Sequence, residues 1–387
     1  MTEKLYYADS HLFAFTAAVT ACTEGPKGYE TQLDRTAFFP EGGGQLADTG
    51  YIGGARVLDV REKDGRIIHY TDIALTPGAA YACTLDKEQR LRRMQNHSGE
   101  HIVSGIAHRL HGCDNVGFHM GPDCMTIDFD VELTWDQLME IETLANRAIR
   151  DDLRILASFP DEVTLAAMEY RSKLELTENV RIVEIEGIDR CACCAPHVSR
   201  TGEVGIIKIL DFMRHRGGVR ISLVCGMDAL DDYRRKQENI SAISAALSAK
   251  RDEAASAVQR ILDDRAAVYD KMNALGMEAA RLRAESFRET EGNLCVFDNV
   301  LPDGALRELA NLLADKCGGM AAVFSGSDEE GYRYIICSRH MDLRRNTKAI
   351  NQGIGGRGGG SEQMIQGRAS GTSDQILDYL KSYTNTQ

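Results

Sequence analysis

Up to about residue 90 the chain alternates apolar and polar positions with a period of two. Tyr29-Glu30-Thr31-Gln32-Leu33 and Ala55-Arg56-Val57-Leu58-Asp59-Val60 are examples. Gly-Pro, Asp-Gly and Gly-Gly steps interrupt these stretches, the pattern of short strands joined by turns. At Asp86-Lys87-Glu88-Gln89 the period changes: a capping Asp with Gln three residues on opens a helix. Leu91, Met94, His97, His101 and Leu110 fall on that helix, and Gly112 ends it. Paired strands are expected over 116–121 and 125–130, then a capped helix from Thr134 to about 151. A strand over 153–158, a helix from Pro160 and a strand over 180–185 come next. Strands over 206–212 and 219–224 close this segment. Helices mixed with antiparallel strands predict an α+β fold.

Beyond residue 226 the pattern is helical. From 227 to 287 there is no proline, and Gly276 is the only glycine. Tyr233, Ile240, Leu247, Ala254, Ile261, Val268, Leu275 and Leu282 recur at intervals of seven. Their companions are mixed: Val258 and Met272 are apolar, Arg251 and Arg265 charged. A long helix follows, single or doubled back, with one apolar row of a coiled-coil seam. Residues 292 to 387 return to α/β character, with strands over 294–297, 320–324 and 332–338 around a helix over 305–316. Four segments are therefore expected. They are a small β-barrel-like domain over 1–88, an α+β domain over 89–226, a helical linker over 227–290 and an α/β domain over 291–387.

Composition narrows the class of protein. With 387 residues, 43% hydrophobic and 27% charged, the chain is that of a soluble protein with more than one core. Eleven scattered cysteines, an odd number, argue for a reducing compartment and against a disulfide framework. The N-terminus lacks a basic head followed by an apolar run, and no apolar stretch approaches the roughly 20 residues of a membrane helix. A cytoplasmic protein without membrane attachment is expected. The net charge of −13 does not favour nucleic acid. Basic groups are local (Arg90, Arg92, Arg93; Arg214, Arg216, Arg220; Arg339, Arg344, Arg345, Lys348), so a nucleic-acid partner must be argued from motifs.

The chemistry concentrates in two short stretches, Asn96-His97-Ser98-Gly99-Glu100-His101 and Cys191-Ala192-Cys193-Cys194-Ala195-Pro196-His197-Val198. Four residues apart on a helix, His97 and His101 share a face, with Cβ atoms about 6 Å apart. Cys193 and His197 repeat the spacing in what Pro196 makes a loop. Three imidazoles and a thiolate form a borderline-soft tetrahedral set that suits one Zn²⁺ per chain. Cys191 and Cys194 compete with Cys193 for the sulfur position. His108 and His111, on the last turn of the helix, suit its dipole and need no metal. His97-Ser98-Gly99-Glu100-His101 also spells H-x-x-E-H, a zinc-peptidase signature with Glu100 as general base. That class requires a distant carboxylate ligand and leaves the Cys/His loop without a purpose.

Two glycine runs remain. Gly42-Gly43-Gly44, ahead of Gln45 and Asp48, lets backbone approach a ligand or a neighbouring strand; a barrel turn is the plainer alternative. It lacks the Lys-Ser/Thr ending of a phosphate loop. Near the C-terminus, Gly353 to Gly360 hold six glycines around Arg357 and lead toward a predicted short helix. Gly355, Gly356, Arg357, Gly358, Gly359 and Gly360 offer backbone N–H groups and a cation to a phosphate, with a flexible linker as the alternative.

Together these motifs resemble the editing domain of alanyl-tRNA synthetase and its free-standing relatives, the AlaX proteins. The likeness rests on the run ending in Gln45 and Asp48, on His97-x3-His101, and on Cys193-x3-His197-Val198 with Thr201-Gly202-Glu203. Val219-Arg220-Ile221 resembles the strand after the metal loop in that family. Gly355 to Gly360 with Gln366-Gly367 resembles the DHHA1 domain that ends the synthetase and the long AlaX forms. The likeness covers almost the whole chain, in family order, and the long, free-standing form without an aminoacylation domain is the one expected. Where the family loop reads Cys-Gly-Gly-Thr-His, this chain has Cys193-Cys194-Ala195-Pro196-His197, so the ligand spacing stays while two glycines and a hydroxyl are lost. Asn-His-Thr becomes Asn96-His97-Ser98.

The resemblance implies hydrolysis, in trans, of tRNA(Ala) wrongly charged with serine, with glycine as a further substrate. A synthetic pocket for alanine excludes serine by only ~100-fold, whereas a second site that hydrogen-bonds the seryl hydroxyl rejects alanine. It further implies polar roles for Gln45 and Ser98 in the pocket and a water-polarising role for Glu100. Zinc would orient the substrate rather than supply a hydroxide. The glycine-rich end would bind tRNA, and the linker or the C-terminal domain would join a homodimer. A zinc-stabilised module that binds tRNA without turnover is the non-catalytic alternative.

Overall fold

The computed structural model describes residues 2–26, 28–172 and 180–383. The last four residues of the expected C-terminal segment lie outside these. The architecture is mixed α+β, with several sheets and eight α-helices among the described residues. Packing gathers the chain into two compact units, residues 1–239 and 240–387. The two segments expected before residue 226 thus lie within a single unit. No helix among the described residues is long and apolar enough to cross a membrane.

In the first unit six strands close a barrel in the order Ala14–Gly25, Gly28–Leu33, Arg66–Thr71, Ala55–Lys63, Gly50–Ile52 and Ala80–Leu85. The alternation seen in the sequence fills its interior with Val19, Leu33, Ile52, Val57, Val60 and Ile67. Val57 and Val60 break the period of two because the register shifts between Val57 and Asp59, a bulge that turns the strand over.

Helix α1 (Lys87–His111) begins where Asp86 accepts a hydrogen bond from the Gln89 amide and ends at Gly112, with φ of 64°. Met94, Ile102, Val103 and Ile106 pack on a four-stranded sheet ordered Ile207–His215, Gly218–Cys225, Met125–Phe129, Asn115–Met120. Its glycines are there for contact. A Cβ on Gly99 would strike Cys225 Sγ, and one on Gly105 would come within 2.6 Å of the Ile188 carbonyl oxygen. Helix α2 (Trp135–Arg150) starts from the expected capping box of Thr134 and Gln137. Helix α3 (Glu162–Ala166) is a short segment beyond the strand Ile155–Ser158. That strand, Ile182–Ile185 and Asp189–Ala192 form a three-stranded sheet that runs into the Cys/His loop.

The long helical stretch is interrupted. Helix α4 (Met227–Leu247) ends at Ser248, whose φ is 50°, and α5 (Ala254–Glu285) follows a 3-10 turn. The second unit has a five-stranded sheet ordered Leu294–Phe297, Met320–Ser327, Gly331–Ser338, Met364–Ala369, Gly356–Gly360. Helix α6 (Asp303–Ala314) and the end of α5 cover one face through Ala280, Ala284, Leu309 and Leu313. Helices α7 (Leu343–Gly353) and α8 (Ser373–Ser382) cover the other through Ile350, Ile376 and Leu380.

The C-terminal glycine run departs from expectation. It is neither a loop leading to a helix nor a linker: Gly356–Gly360 is the edge strand, paired antiparallel with Met364–Ala369. Its glycines answer to crowding inside the sheet. A Cβ on Gly358 would strike the Gln366 carbonyl and the Tyr334 hydroxyl, and one on Gly360 the Met364 carbonyl. About half of the backbone groups of this run are therefore spent on strand pairing, and the rest point to the open edge of the sheet.

Candidate metal centre

Helix α1 and the loop after Asp189–Ala192 bring four side chains to one point. One ligand atom from each of His97, His101, Cys193 and His197 lies within 4.8 Å of all the others. Cys193 Sγ is 3.6 Å from His97 Nε2 and 3.4 Å from His197 Nε2. Tetrahedral zinc with bonds of 2.0–2.3 Å spaces its ligands about 3.3–3.6 Å apart, so these two separations fit that ion. Cys193 is the sulfur of this group. Cys191 joins a different one, with His101 and Asp189, and burial pushes its thiol up to about 11. Cys194 is exposed and sits against the Gly42-Gly43 turn.

The far side of each imidazole is also taken. His97 Nδ1 meets Gln45 Oε1 at 3.0 Å, His101 Nδ1 meets Asp189 Oδ2 at 2.9 Å, and His197 Nδ1 meets Ser98 Oγ at 3.1 Å. For His97 and His101 the partner is an acceptor, which fixes the proton on Nδ1 and leaves Nε2 toward the shared centre. This is how metal-bound imidazoles are usually oriented. Gln45 and Ser98, expected as polar lining, thus stand behind the rings. Asp189, which the motifs did not single out, holds His101 and is gripped in turn by Arg171 through Nε and Nη2, both at 2.8 Å. Its one sequence signal is the period of two along Asp189–Ala192, which puts it on the buried face with Cys191.

The charges fit a cation. Burial acts to raise the Cys193 thiol, but His97, His197 and hydrogen bonds from His101 and His197 hold it well below the usual thiol range. Burial pushes His197 down to about 3 despite the adjacent Cys193, so its ring is neutral. Burial also works against a charged His101, yet Glu100 and Asp189 hold it well above the ordinary value. Asp189, against its own burial, is pulled down to about 2 by His101 and Arg171.

The family model described as "Threonyl and Alanyl tRNA synthetase second additional domain" matches residues 180–261, which include Cys193 and His197. The chain is 28% identical over 402 residues to the alanyl-tRNA editing protein AlaX-L of Pyrococcus horikoshii, spanning 98% of this chain and 97% of that protein. It is 31% identical over 361 residues to the alanine–tRNA ligase of Halobacterium salinarum, across 87% of this chain and 38% of the ligase. Along nearly its whole length the chain is thus similar to an AlaX protein. It spans only about two fifths of such ligases; for that of Methanococcus maripaludis C5 the figure is 44%.

A cavity of about 580 Å³ opens over the four-residue cluster, lined by His97, Glu100, His101, Phe118, Arg181 and Cys193 among others. Glu100 is its buried carboxylate. Ser104 Oγ donates to Glu100 Oε1 at 2.7 Å and Asn115 Nδ2 donates to the same oxygen, while Oε2 lies 3.7 Å from His101 Nε2. Arg181 braces the metal loop, its Nη1 donating to the carbonyls of Cys193 and Ala195 at 3.0 and 2.8 Å. Gly43 and Gly44 also line the cavity; Gly44 has φ of 82°, and a Cβ there would come within 2.5 Å of the Phe118 ring. The turn bearing Gln45 is tied to α1 from below. Buried Arg90 is ion-paired with Asp48 and donates to the Ala37 carbonyl, and Arg93 donates to that of Ala47. His108, expected to be unrelated to the metal, is half-exposed and pairs with Asp114 at 3.1 Å.

Proposed function

We propose that this chain hydrolyses the ester of tRNA(Ala) charged with serine, and less rapidly with glycine, in the cavity above the metal centre. The observation that carries the reading is the convergence of His97, His101, Cys193 and His197 on one zinc-sized point beneath that cavity. A zinc ion held by these four supplies a fixed positive charge that orients the aminoacyl group. Glu100, held by Ser104 and Asn115, takes a proton from the attacking water. As the water oxygen bonds to the ester carbonyl carbon, the bond to the ribose oxygen breaks. Serine leaves as its carboxylate, and the ribose oxygen takes up a proton to give a free tRNA hydroxyl. Gln45 and Ser98 act on the reaction through His97 and His197, which they orient. The name of the relative AlaX-L supports this substrate class, and it implies work in the cytoplasm, where tRNA is charged.

The purified chain, mixed separately with Ser-, Gly- and Ala-tRNA(Ala), is expected to release serine fastest and alanine slowest. Cys193→Ala should lose both its zinc and the activity. Retention of serine on Ser-tRNA(Ala) by the wild-type chain overturns the reading, leaving a module that binds without turnover. Full activity in a zinc-free Cys193→Ala protein overturns the metal assignment. The H-x-x-E-H peptidase alternative has lost its support, because Cys193 and His197 gather at His97 and His101 where a carboxylate ligand belongs.

We further propose that two copies associate through α5. Ile261, Val268, Leu275 and Leu282 are 51%, 65%, 72% and 59% exposed. With Val258, Arg265, Met272 and Ala279 they alternate at spacings of three and four, the two rows of a heptad seam.

A further inference from the structure

A ladder of aromatic rings runs from the barrel core to the cavity over the four-residue cluster. Phe39 meets Tyr6 edge-on, with ring centroids 5.4 Å apart and planes at 89°. Tyr6 meets Tyr7 at 4.7 Å and 72°, and Tyr7 meets Phe159 at 5.4 Å and 71°. Each is the edge-to-face arrangement that aromatic pairs favour. Phe39 and Tyr6 belong to the barrel core and are 2% and 1% exposed, whereas Phe159 is 51% exposed. Tyr7 and Phe159 line the same cavity as His97, His101 and Cys193. Arg181, which braces the Cys/His loop, lays its guanidinium 5.2 Å from the centre of the Tyr7 ring.

The last rung is held from its backbone as well. Phe159 follows the strand Ile155–Ser158, and Pro160 confines it to an extended conformation. Asp161 then caps α3, accepting from the Thr164 amide at 2.8 Å. Single apolar side chains on a surface are ordinary. This one is fixed by a ladder and a proline, and it forms part of the wall where the ester is to be cut. The connectivity of the substrate names the occupant. An aminoacyl ester sits on the ribose of the terminal nucleotide, and the adenine sits on that same ribose. Whatever holds the ester above the cluster leaves the base one sugar away, within a cavity sized for one small ligand. Arg171, Ser172 and Arg181 share the lining, so the ring does not open onto an apolar groove for a peptide or a lipid. We propose that Phe159 stacks on the adenine of the nucleotide that carries the aminoacyl ester, and that Tyr7 positions Phe159 for it. The stack holds the end of the substrate without reading its sequence, because every base has a π face. This rests on the editing reading, and it adds a contact that neither the metal ligands nor Glu100 supplies.

The test uses the full chain and an acceptor-stem RNA hairpin that ends in 2-aminopurine in place of adenine. Its serine is attached through an amide that the protein cannot hydrolyse. Emission from 2-aminopurine is quenched when the base stacks on an aromatic ring. Wild type should quench the probe on binding. Phe159→Ala should leave it bright and bind about 5- to 150-fold more weakly, the contribution of one base–aromatic stack. Phe159→Tyr should restore both readouts, whereas Phe159→Leu, which keeps apolar bulk without a π face, should restore neither. With Ser-tRNA(Ala), Phe159→Ala should raise KM more than it lowers kcat. Circular dichroism and zinc content should match wild type in all three variants. Equal quenching and affinity in wild type and folded Phe159→Ala overturn the proposal, and so does wild-type affinity in Phe159→Leu. Should the wild-type chain quench the probe yet hydrolyse no charged tRNA, the editing reading fails and the stack stands. Hydrolysis without quenching overturns the stack alone.

Discussion

Asp189 shows how much of the metal centre lies outside its ligands. Its carboxylate accepts from His101 Nδ1 and from two nitrogens of Arg171 while almost wholly buried. Asp189→Asn keeps the shape and removes the charge, so it should weaken zinc binding about 10- to 100-fold. Competition with a chelating dye measures this, and unchanged affinity would show that Asp189 serves only Arg171. The same residue sets a pH dependence in metal-free protein. Its folded value of about 2 is below the ordinary 3.8, so its stabilisation is fully present above pH 4 and fades as pH falls toward 2. Wild type and Asp189→Asn should therefore differ by about 2 kcal/mol more at pH 5 than at pH 2, by urea unfolding. The sequence announces the ligands because both pairs are local, four residues apart. Gln45 and Asp189 go unannounced in their actual roles because they meet His97 and His101 across 52 and 88 residues of chain.

Among the elements, those whose ends are written in local chemistry could be read directly. The cap at Asp86, the stop at Gly112 and the box of Thr134 and Gln137 lie where the sequence puts them. Glycine-rich runs were harder, since crowding and conformational freedom leave the same trace. Gly358 is glycine because Tyr334 and the neighbouring strand press on it, which only the folded sheet reveals. Helix α5 poses the opposite problem, an apolar row with a legible period and an unseen partner. Ala280 and Ala284 face the core of the second unit, whereas Val268 and Leu275 face outward. Burying such a row between two helices stabilises by roughly 1.5–3 kcal/mol per large side chain. Sedimentation should accordingly show a dimer for the wild-type chain and a monomer for Val268→Glu/Leu275→Glu. A wild-type monomer at 100 µM would remove the seam from consideration.

At the scale of the whole molecule, each of the two units has its own core, and the metal centre belongs entirely to the first. The four side chains from α1 and the 193–197 loop join parts of the chain almost a hundred residues apart, so a zinc ion held there would close a long loop within that unit. Metal bound only by the folded form stabilises by about 2.7 kcal/mol at a free concentration 100 times its dissociation constant. For a unit of this size that is worth about 5–10 °C in melting temperature. The second unit, held by its sheet and the cores on either face, has no share in that linkage. Scanning calorimetry with and without chelator should therefore show one transition falling by about this amount and another staying in place. The transition that moves should be the one that Cys193→Ala already lowers in the presence of zinc. If chelation shifts neither transition, or if Cys193→Ala melts like zinc-loaded wild type, the four side chains meet without holding a metal.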